Sequence, residues 1–267
     1  MDNSLTSIIL SENFTDIPYN MFNGFTELKN IYIPNTIETI SGYAFSGCSS
    51  LENVYYYGTI EQWLSIKFDG NYSNPMGMTE HFYAFNSNNE FYKVCDLVIP
   101  EGTEIIETEK YKDCKIFKNI YLPSSLKSVE YNAFLNCDLV ENVYYHGTLE
   151  QWCNIDFENG NANPLCCAGN LYINNQLATD IVIPSNITTI REYTFYGCGS
   201  LKSVIISYGV TNIRPYAFDN CAALKSVTIS DSVTSIGSYA FYQCTSLTSV
   251  TIGDGFTPLG TSTSPMK

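Results

Sequence analysis

The chain has 267 residues, 45% of them hydrophobic, with 27 acidic against 13 basic residues and a formal net charge of −14. That balance argues against nucleic acid or an anionic membrane as partner, since both call for clustered Lys and Arg. No apolar run approaches the ~18 residues of a membrane span, and the opening MDNSLTSIIL lacks a basic start followed by a long apolar stretch, so no signal peptide is visible.

A repeat organises the rest. Phe22, Phe45, Tyr111, Phe134, Phe195, Phe218 and Phe241 lie in one phase, and within each run the step is 23 residues. Two longer steps interrupt it, of 66 residues from Phe45 to Tyr111 and 61 from Phe134 to Phe195. A fixed period in the twenties marks a stacked-repeat protein, so residues 1–256 are predicted to form a single solenoid and 257–267 a ragged tail. Leu5 already begins a repeat strand, which leads us to expect a fragment or a mature form.

In chain order, each ordinary repeat opens with a strand whose apolar residues fall at offsets 0, 3 and 5. Leu28/Ile31/Ile33, Phe117/Ile120/Leu122, Leu201/Val204/Ile206, Leu224/Val227/Ile229 and Leu247/Val250/Ile252 are predicted to point inward. Pro34, Pro123, Ser207, Ser230 or Gly253 then turns the corner. A second apolar pair follows, as in Phe14/Ile17, Ile37/Ile40, Leu126/Val129, Ile187/Ile190, Val210/Ile213 and Val233/Ile236. It is too short for a free helix and is predicted to be an irregular or 3₁₀ return carrying the aromatic into the core.

The two long steps are copies of each other. Residues 54–69 (VYYYGTIEQWLSIKFD) match 143–158 (VYYHGTLEQWCNIDFE) at an offset of 89. In both, Thr59 or Thr148 stands three residues before Gln62 or Gln151, the spacing of a capping box that starts a helix. Ile60/Trp63/Leu64 and Leu149/Trp152/Cys153 then share a helical face, which favours core over sugar stacking for the two tryptophans. Loops with Asn74-Pro75 and Asn163-Pro164 follow. Leu171 to Pro184 reads as strand, Asn-Asn turn, strand, and Phe82 to Pro100 is its longer counterpart. These segments, about 54–100 and 143–184, are predicted to be enlarged repeats, each with a short helix and a hairpin. Half a further repeat follows Gly253 (Phe256, Leu259).

Six of the ten cysteines (Cys48, Cys114, Cys137, Cys198, Cys221, Cys244) each lie three residues after the repeat aromatic, and Phe25 fills the same slot after Phe22. A slot that accepts Cys or Phe is an apolar packing site, so a ladder of buried thiols is favoured over regular disulfides or a metal site. Cys95, Cys153, Cys166 and Cys167 fall outside this column.

The string L-x-S-V-T-I-x-x-x-V-T-S-I-G-x-x-A-F-x-x-C, met by Leu224 to Cys244, resembles the BspA-like leucine-rich-repeat family. The G-T-x-E-Q-W block at 58–63 and 147–152 is similar to one found in such proteins. The resemblance spans about residues 5–256 and implies an α/β repeat, a right-handed leucine-rich-repeat solenoid with one parallel β-sheet. It also implies a cell-surface or secreted protein of adhesin type, with a protein ligand such as a host protein.

Little in the chain suggests chemistry. His81 and His146 are far apart in sequence, and His146 reads as a surface corner. No Gly-rich phosphate loop, metal-ligand cluster or G-x-S-x-G elbow is present. Glu101/Glu104 and Glu107/Glu109 read as solvated loop acids, not as a facing catalytic pair. No enzyme activity, cofactor or metal is expected.

The residues that should face outward from the strands are more informative. One column reads Ile9, Tyr32, Tyr55, Val98, Tyr121, Tyr144, Val182, Ile205, Thr228, Thr251, and its neighbour Ser7, Asn30, Asn53, Asp96, Asn119, Asn142, Asp180, Ser203, Ser226, Ser249. Residue type alone is accounted for by sheet chemistry, since Tyr, Ile, Val and Thr suit strands and Asn or Ser ladders can hydrogen-bond along a stack. The functional reading is a partner-binding strip centred on Tyr32, Tyr55, Tyr121 and Tyr144 with Asn30, Asn53, Asn119 and Asn142 beside them. A carbohydrate-binding module and a structural spacer are the alternatives.

Overall fold

The computed structural model describes residues 4–79 and 81–254. The Phe256/Leu259 half-repeat and the tail at 257–267 lie outside the described residues. The chain separates into two compact units, one of residues 1–96 with 113–117 and one of 97–112 with 118–267.

The first unit contains β1 (Ser7–Ile9), β2 (Asp16–Ile17), β3 (Asn30–Ile33), β4 (Thr39–Ser41), β5 (Asn53–Tyr56), α1 (Ile60–Leu64), β6 (Lys67–Asp69), β7 (His81–Phe85) and β8 (Phe91–Lys93). Its main sheet runs β1-β3-β5-β7-β8, parallel except for the last pair, which is an antiparallel hairpin. The strands align residue for residue, Ile31 on Val54 and Tyr32 on Tyr55. Equivalent residues of successive coils therefore stack, and each coil covers the apolar edge of the one before. No coil could bury that edge alone.

The second unit opens with β9 (Asp96–Val98, its first residue at the boundary), β10 (Ile105–Ile106), β11 (Asn119–Leu122), β12 (Ser128–Val129), β13 (Asn142–Tyr145), α2 (Leu149–Cys153), β14 (Asp156–Phe157), α3 (Leu165–Ala168), β15 (Asn170–Ile173) and β16 (Gln176–Leu177). It continues with β17 (Asp180–Ile183), β18 (Thr189–Ile190), β19 (Ser203–Ile206), β20 (Asn212–Ile213), β21 (Ser226–Ile229), β22 (Ser235–Ile236) and β23 (Ser249–Ile252). Its face strands form two sheets, β9-β11-β13-β15-β16 and β17-β19-β21-β23. Both units are parallel β-solenoids with few helices.

The expectation of one parallel sheet with irregular returns is corrected here. The returns pair as well, in rows β2-β4-β6, β10-β12-β14 and β18-β20-β22. The physical reason is backbone demand. A return with an inward apolar residue at each coil, Ile17, Ile40 and Phe68 in the first row, is held at strand spacing, and its amides bond the coil before, as Glu38 N does to Thr15 O at 2.8 Å.

The aromatic column lies where its period puts it. Phe22, Phe45, Tyr111, Phe134, Phe195 and Phe218 are all buried, and Phe195, Phe218 and Phe241 stack at 5.1 Å between successive rings. Two residues before each of these aromatics the backbone is left-handed without glycine, at Asn20, Tyr43, Glu109, Asn132, Tyr193, Tyr216 and Tyr239. That conformation is uncommon outside glycine, and its recurrence shows that the turn has one fixed geometry. The inward expectation fails at two places. Val250 and Ile252 of β23 are 39% and 40% exposed, with no later coil over them among the described residues, and Phe14 of the first coil is 37% exposed.

The cysteine column is buried and its thiols are free. Cys48, Cys137, Cys221 and Cys244 each donate to the carbonyl of an aromatic one coil back (Phe22, Tyr111, Phe195, Phe218) at 3.1 to 3.2 Å. Cys167 takes the same role toward Phe134 at 3.5 Å, which gives a place in the ladder to a cysteine the period leaves unassigned. Burial pushes the thiols of Cys48 and Cys198 up to about 11.

Candidate functional site

Both duplicated segments build the same scaffold. Thr59 and Thr148 cap α1 and α2 with complete capping boxes, each side chain accepting from the Gln three residues on while that Gln accepts from the Thr amide at 2.9 Å. The helices place Trp63 and Trp152 fully in the core, against Tyr56 at 5.0 Å and Tyr145 at 5.3 Å. The glycine opening each G-T-x-E-Q-W block is sterically required, because a Cβ on Gly58 or Gly147 would come within 2.6 or 2.5 Å of the Tyr56 or Tyr145 ring. Cys153 of α2 is fully buried and its thiol is pushed up to about 12 by burial, so it presents no thiolate nucleophile. His146 lies at the surface with Nδ1 3.5 Å from Glu101. Glu104 pairs with Lys127 and Glu109 with Lys112, exposed contacts of the kind that contribute little.

On the outer side of the sheets the candidate tyrosines form two stacked triads. In the first unit Tyr32, Tyr55 and Tyr83 stack at 4.6 and 4.8 Å with interplanar angles of 9° and 12°. In the second, Tyr121, Tyr144 and Tyr172 stack at 4.8 and 4.5 Å. Those separations follow the ~4.8 Å strand spacing, so each ring repeats the backbone register. The stacking leaves the triads half-buried rather than fully exposed. Burial raises the Tyr55 phenol above its usual range, and its neighbours Tyr32 and Tyr83 add to the effect.

The polar column is tied along the stack. Asn53 Nδ2 donates to Asn30 Oδ1 and Asn142 Nδ2 to Asn119 Oδ1, both at 2.9 Å, and Asn170 continues to Asn142 at 3.2 Å. Further along, Ser203 donates to Asp180 at 2.5 Å, which holds that carboxyl below its usual range. These amides have a structural role of their own beside the tyrosines.

Tyr83 and Tyr172 escape a reading of the sequence because the strands that carry them follow insertions that break the 23-residue count. The available signal is the offset of 89, at which the two align with each other. The first unit adds a rim. The hairpin β7–β8 brings Phe91 to 5.3 Å from Tyr55, 5.3 Å from Tyr57 and 4.5 Å from Phe85. Phe91 and Tyr92 are 36% and 38% exposed. At the offset of 89 Tyr57 corresponds to His146 and Phe85 to Asn174, so the second copy has the triad without the aromatic rim. Its hairpin closes tightly through Asn174 and Asn175, both with positive φ, the geometry of a two-residue I′ turn.

Among the described residues no group of three or more His, Cys, Asp or Glu is placed to hold a metal ion. No helix among them is long and apolar enough to cross a membrane.

No curated protein matches the chain. Among solved structures it is similar to a leucine-rich cell surface protein from Faecalibacterium prausnitzii A2-165, at 23% identity and a TM-score of 0.39, covering 94% of this chain and 60% of that one. The chain thus spans less than two thirds of that protein. It is also similar to a leucine-rich repeat protein from Bacteroides ovatus ATCC 8483, at 20% identity and a TM-score of 0.45, covering 95% of this chain and 74% of that one. Six copies of the BspA-type leucine-rich repeat region match residues 1–74, 81–171 and 169–263. With nearly every coil accounted for by that repeat, the chain belongs to the BspA-type leucine-rich repeat family.

Proposed function

We propose that this is a non-enzymatic, protein-binding repeat scaffold, adhesin-like and located at the cell surface or secreted, whose ligand is a protein such as a host protein. Residues 1–256 act as one array in this reading, with 54–100 and 143–184 as enlarged repeats that shape the binding face. The partner contacts are Tyr32, Tyr55, Tyr121 and Tyr144, flanked by Asn30, Asn53, Asn119 and Asn142. The observation that carries the reading is the Tyr32–Tyr55–Tyr83 stack with its Tyr57, Phe85 and Phe91 rim. Rigid aromatic rings with polar tips anchor protein interfaces at low entropic cost. The Asn ladder fixes their spacing, so little ordering remains for binding.

The test is a panel of extracellular proteins beside a glycan array, with wild type and Tyr55→Ser/Phe91→Ser. The expected outcome is a protein ligand whose affinity falls at least ~tenfold in the variant while its far-UV spectrum is unchanged. Unaltered affinity discards the strip. Glycan binding in place of protein binding favours the second reading, a carbohydrate-binding module. The polar cavity of about 590 Å³ lined by Asn154, Asp156, Asn186, Thr188, Arg191 and Arg214 supports that alternative. No binding in either screen favours a structural spacer.

A further inference from the structure

In the second unit the return row β10-β12-β14 ends and the row β18-β20-β22 begins without β14 and β18 pairing. On the turn side this break is bridged, since Asn163 Nδ2 donates to Tyr193 O at 2.8 Å and Trp152 Nε1 to Thr194 O at 2.9 Å. On the return side it stays open as a polar cavity of about 590 Å³, a size within the ~300–1,000 Å³ of small-molecule sites. Asn154 and Asp156 line it from the β14 side, and Asn186, Arg191, Glu192 and Arg214 from the β18 side.

The residue after the inward position of each return forms a column that changes sign at this break. It reads Glu107, Glu130, Glu158 up to β14, then Arg191 and Arg214, the only arginines in the chain. The acids serve the stack: Glu130 Oε2 accepts from Thr108 N at 2.9 Å, and Glu158 Oε2 from Tyr131 N at 2.8 Å. A guanidinium has no acceptor for such a bond, so Arg191 and Arg214 cannot take over that task. Arg191 reaches Asp156 only at 4.0 Å, and none of the ion pairs among the described residues involves Arg214. The two arginines stand one coil apart, with Arg214 N bonded to Ile190 O at 2.9 Å. Two residues on, the ladder of Tyr193, Tyr216 and Tyr239 fixes that spacing, its rings stacked at 5.2 and 5.3 Å. The strand edge adds donors. β18 is the outermost strand of its row, and the alternation of a parallel ladder turns the Thr189 and Arg191 amides to its open side.

We propose that this cavity binds an acidic sugar residue, a hexuronate or a sialate, with its carboxylate on Arg191 and Arg214 and its hydroxyls on Asp156, Glu192 and the two Asn amides. Guanidinium forks match a carboxylate in both charge and geometry. A bare anion would meet Asp156 and Glu192 as repulsion, whereas the hydroxyls of a sugar donate to them. The mixed lining therefore selects a ligand that carries a carboxylate and hydroxyls together. The cavity is built by the returns and not by the face strands that carry Tyr121, Tyr144 and Tyr172, so the proposal does not depend on the strip's having a protein partner.

The test titrates the full chain with methyl glucuronide and with the methyl glycoside of N-acetylneuraminic acid at constant ionic strength. The arginine Nε–Hε resonances are followed by NMR, with methyl glucoside and sodium propionate as the neutral-sugar and bare-carboxylate controls. Saturable shifts with at least one acidic sugar are expected, at an affinity above that of either control. The acidic sugar that binds more tightly identifies the source of the carboxylate. Affinity should fall roughly tenfold or more in Arg214→Gln, read from the remaining Arg191 resonance. Absence of saturable binding by both acidic sugars, binding of either control as tightly as the acidic sugars, or undiminished affinity in folded Arg214→Gln overturns the proposal.

Discussion

The two copies of the duplicated segment share what is buried and differ in what is displayed. Both have a capped five-residue helix, a core tryptophan against a tyrosine, an Asn ladder and a Tyr triad. They part at the rim, where Tyr57, Phe85 and Phe91 surround the first triad, while His146 and Asn174 stand at the positions of Tyr57 and Phe85 in the second copy. The lesson is that scaffold and display are separable. The shared residues form the core and the ladders in both copies, whereas the rim rings Tyr57, Phe85 and Phe91 pack on one another and on the triad in the first copy only.

The largest effects should fall on the shared core. Trp63→Ala and Trp152→Ala should each destabilise by about 3–5 kcal/mol in chemical denaturation, through the cavity left behind. Phenylalanine should separate the copies. Trp152 Nε1 donates to Thr194 O at 2.9 Å, whereas Trp63 Nε1 has no partner among the described residues. Trp152→Phe should therefore cost about 1 kcal/mol more than Trp63→Phe. Equal costs would mean that the two tryptophans are held alike.

Next come the caps. Thr59→Ala and Thr148→Ala should each cost about 1 kcal/mol, and nearly the same amount, because the boxes match bond for bond. A wide difference in denaturation midpoint would show that the copies are not equivalent even in their scaffold.

A smaller effect, defined by its sign, concerns Asp219. Its folded-state carboxyl is raised above the unfolded one, so the charged form opposes folding and protonation relieves it. Its own stability contribution therefore improves as pH falls through the folded value and levels off below the ordinary carboxylate range. The groups around it, Tyr193, Tyr196 and Cys244, have ordinary values well above that window. Asp219→Asn should raise the melting temperature at pH 7 and leave it unchanged near pH 3. A melting temperature lowered at pH 7 would contradict an unpaired buried acid.

Much of the fold was legible because a solenoid writes its core into a period. The Phe22-to-Phe241 phase located the buried column, and Thr59/Gln62 located a helix. The return strands were not legible, since two-residue pairs such as Thr189-Ile190 carry too little pattern to distinguish a strand from a turn. Tyr83 and Tyr172 were hidden by the insertions that precede them. The Tyr193–Tyr216–Tyr239 ladder was hidden for another reason. It rests on left-handed backbone at non-glycine residues, a conformation that composition does not announce. Asp219 falls on the same 23-residue period as Tyr196 and Tyr242, but the period does not show that its carboxylate is buried with an oxygen left unpartnered among the described residues.

The most direct measurement compares the two displays in one assay, with a protein ligand titrated against wild type, Tyr55→Ser/Phe91→Ser and Tyr144→Ser/Tyr172→Ser. The account predicts that the first variant loses at least ~tenfold in affinity and the second loses clearly less, with both folded. Equal losses would remove the rim from the explanation, and unchanged affinity in both variants would contradict the aromatic face as a binding surface.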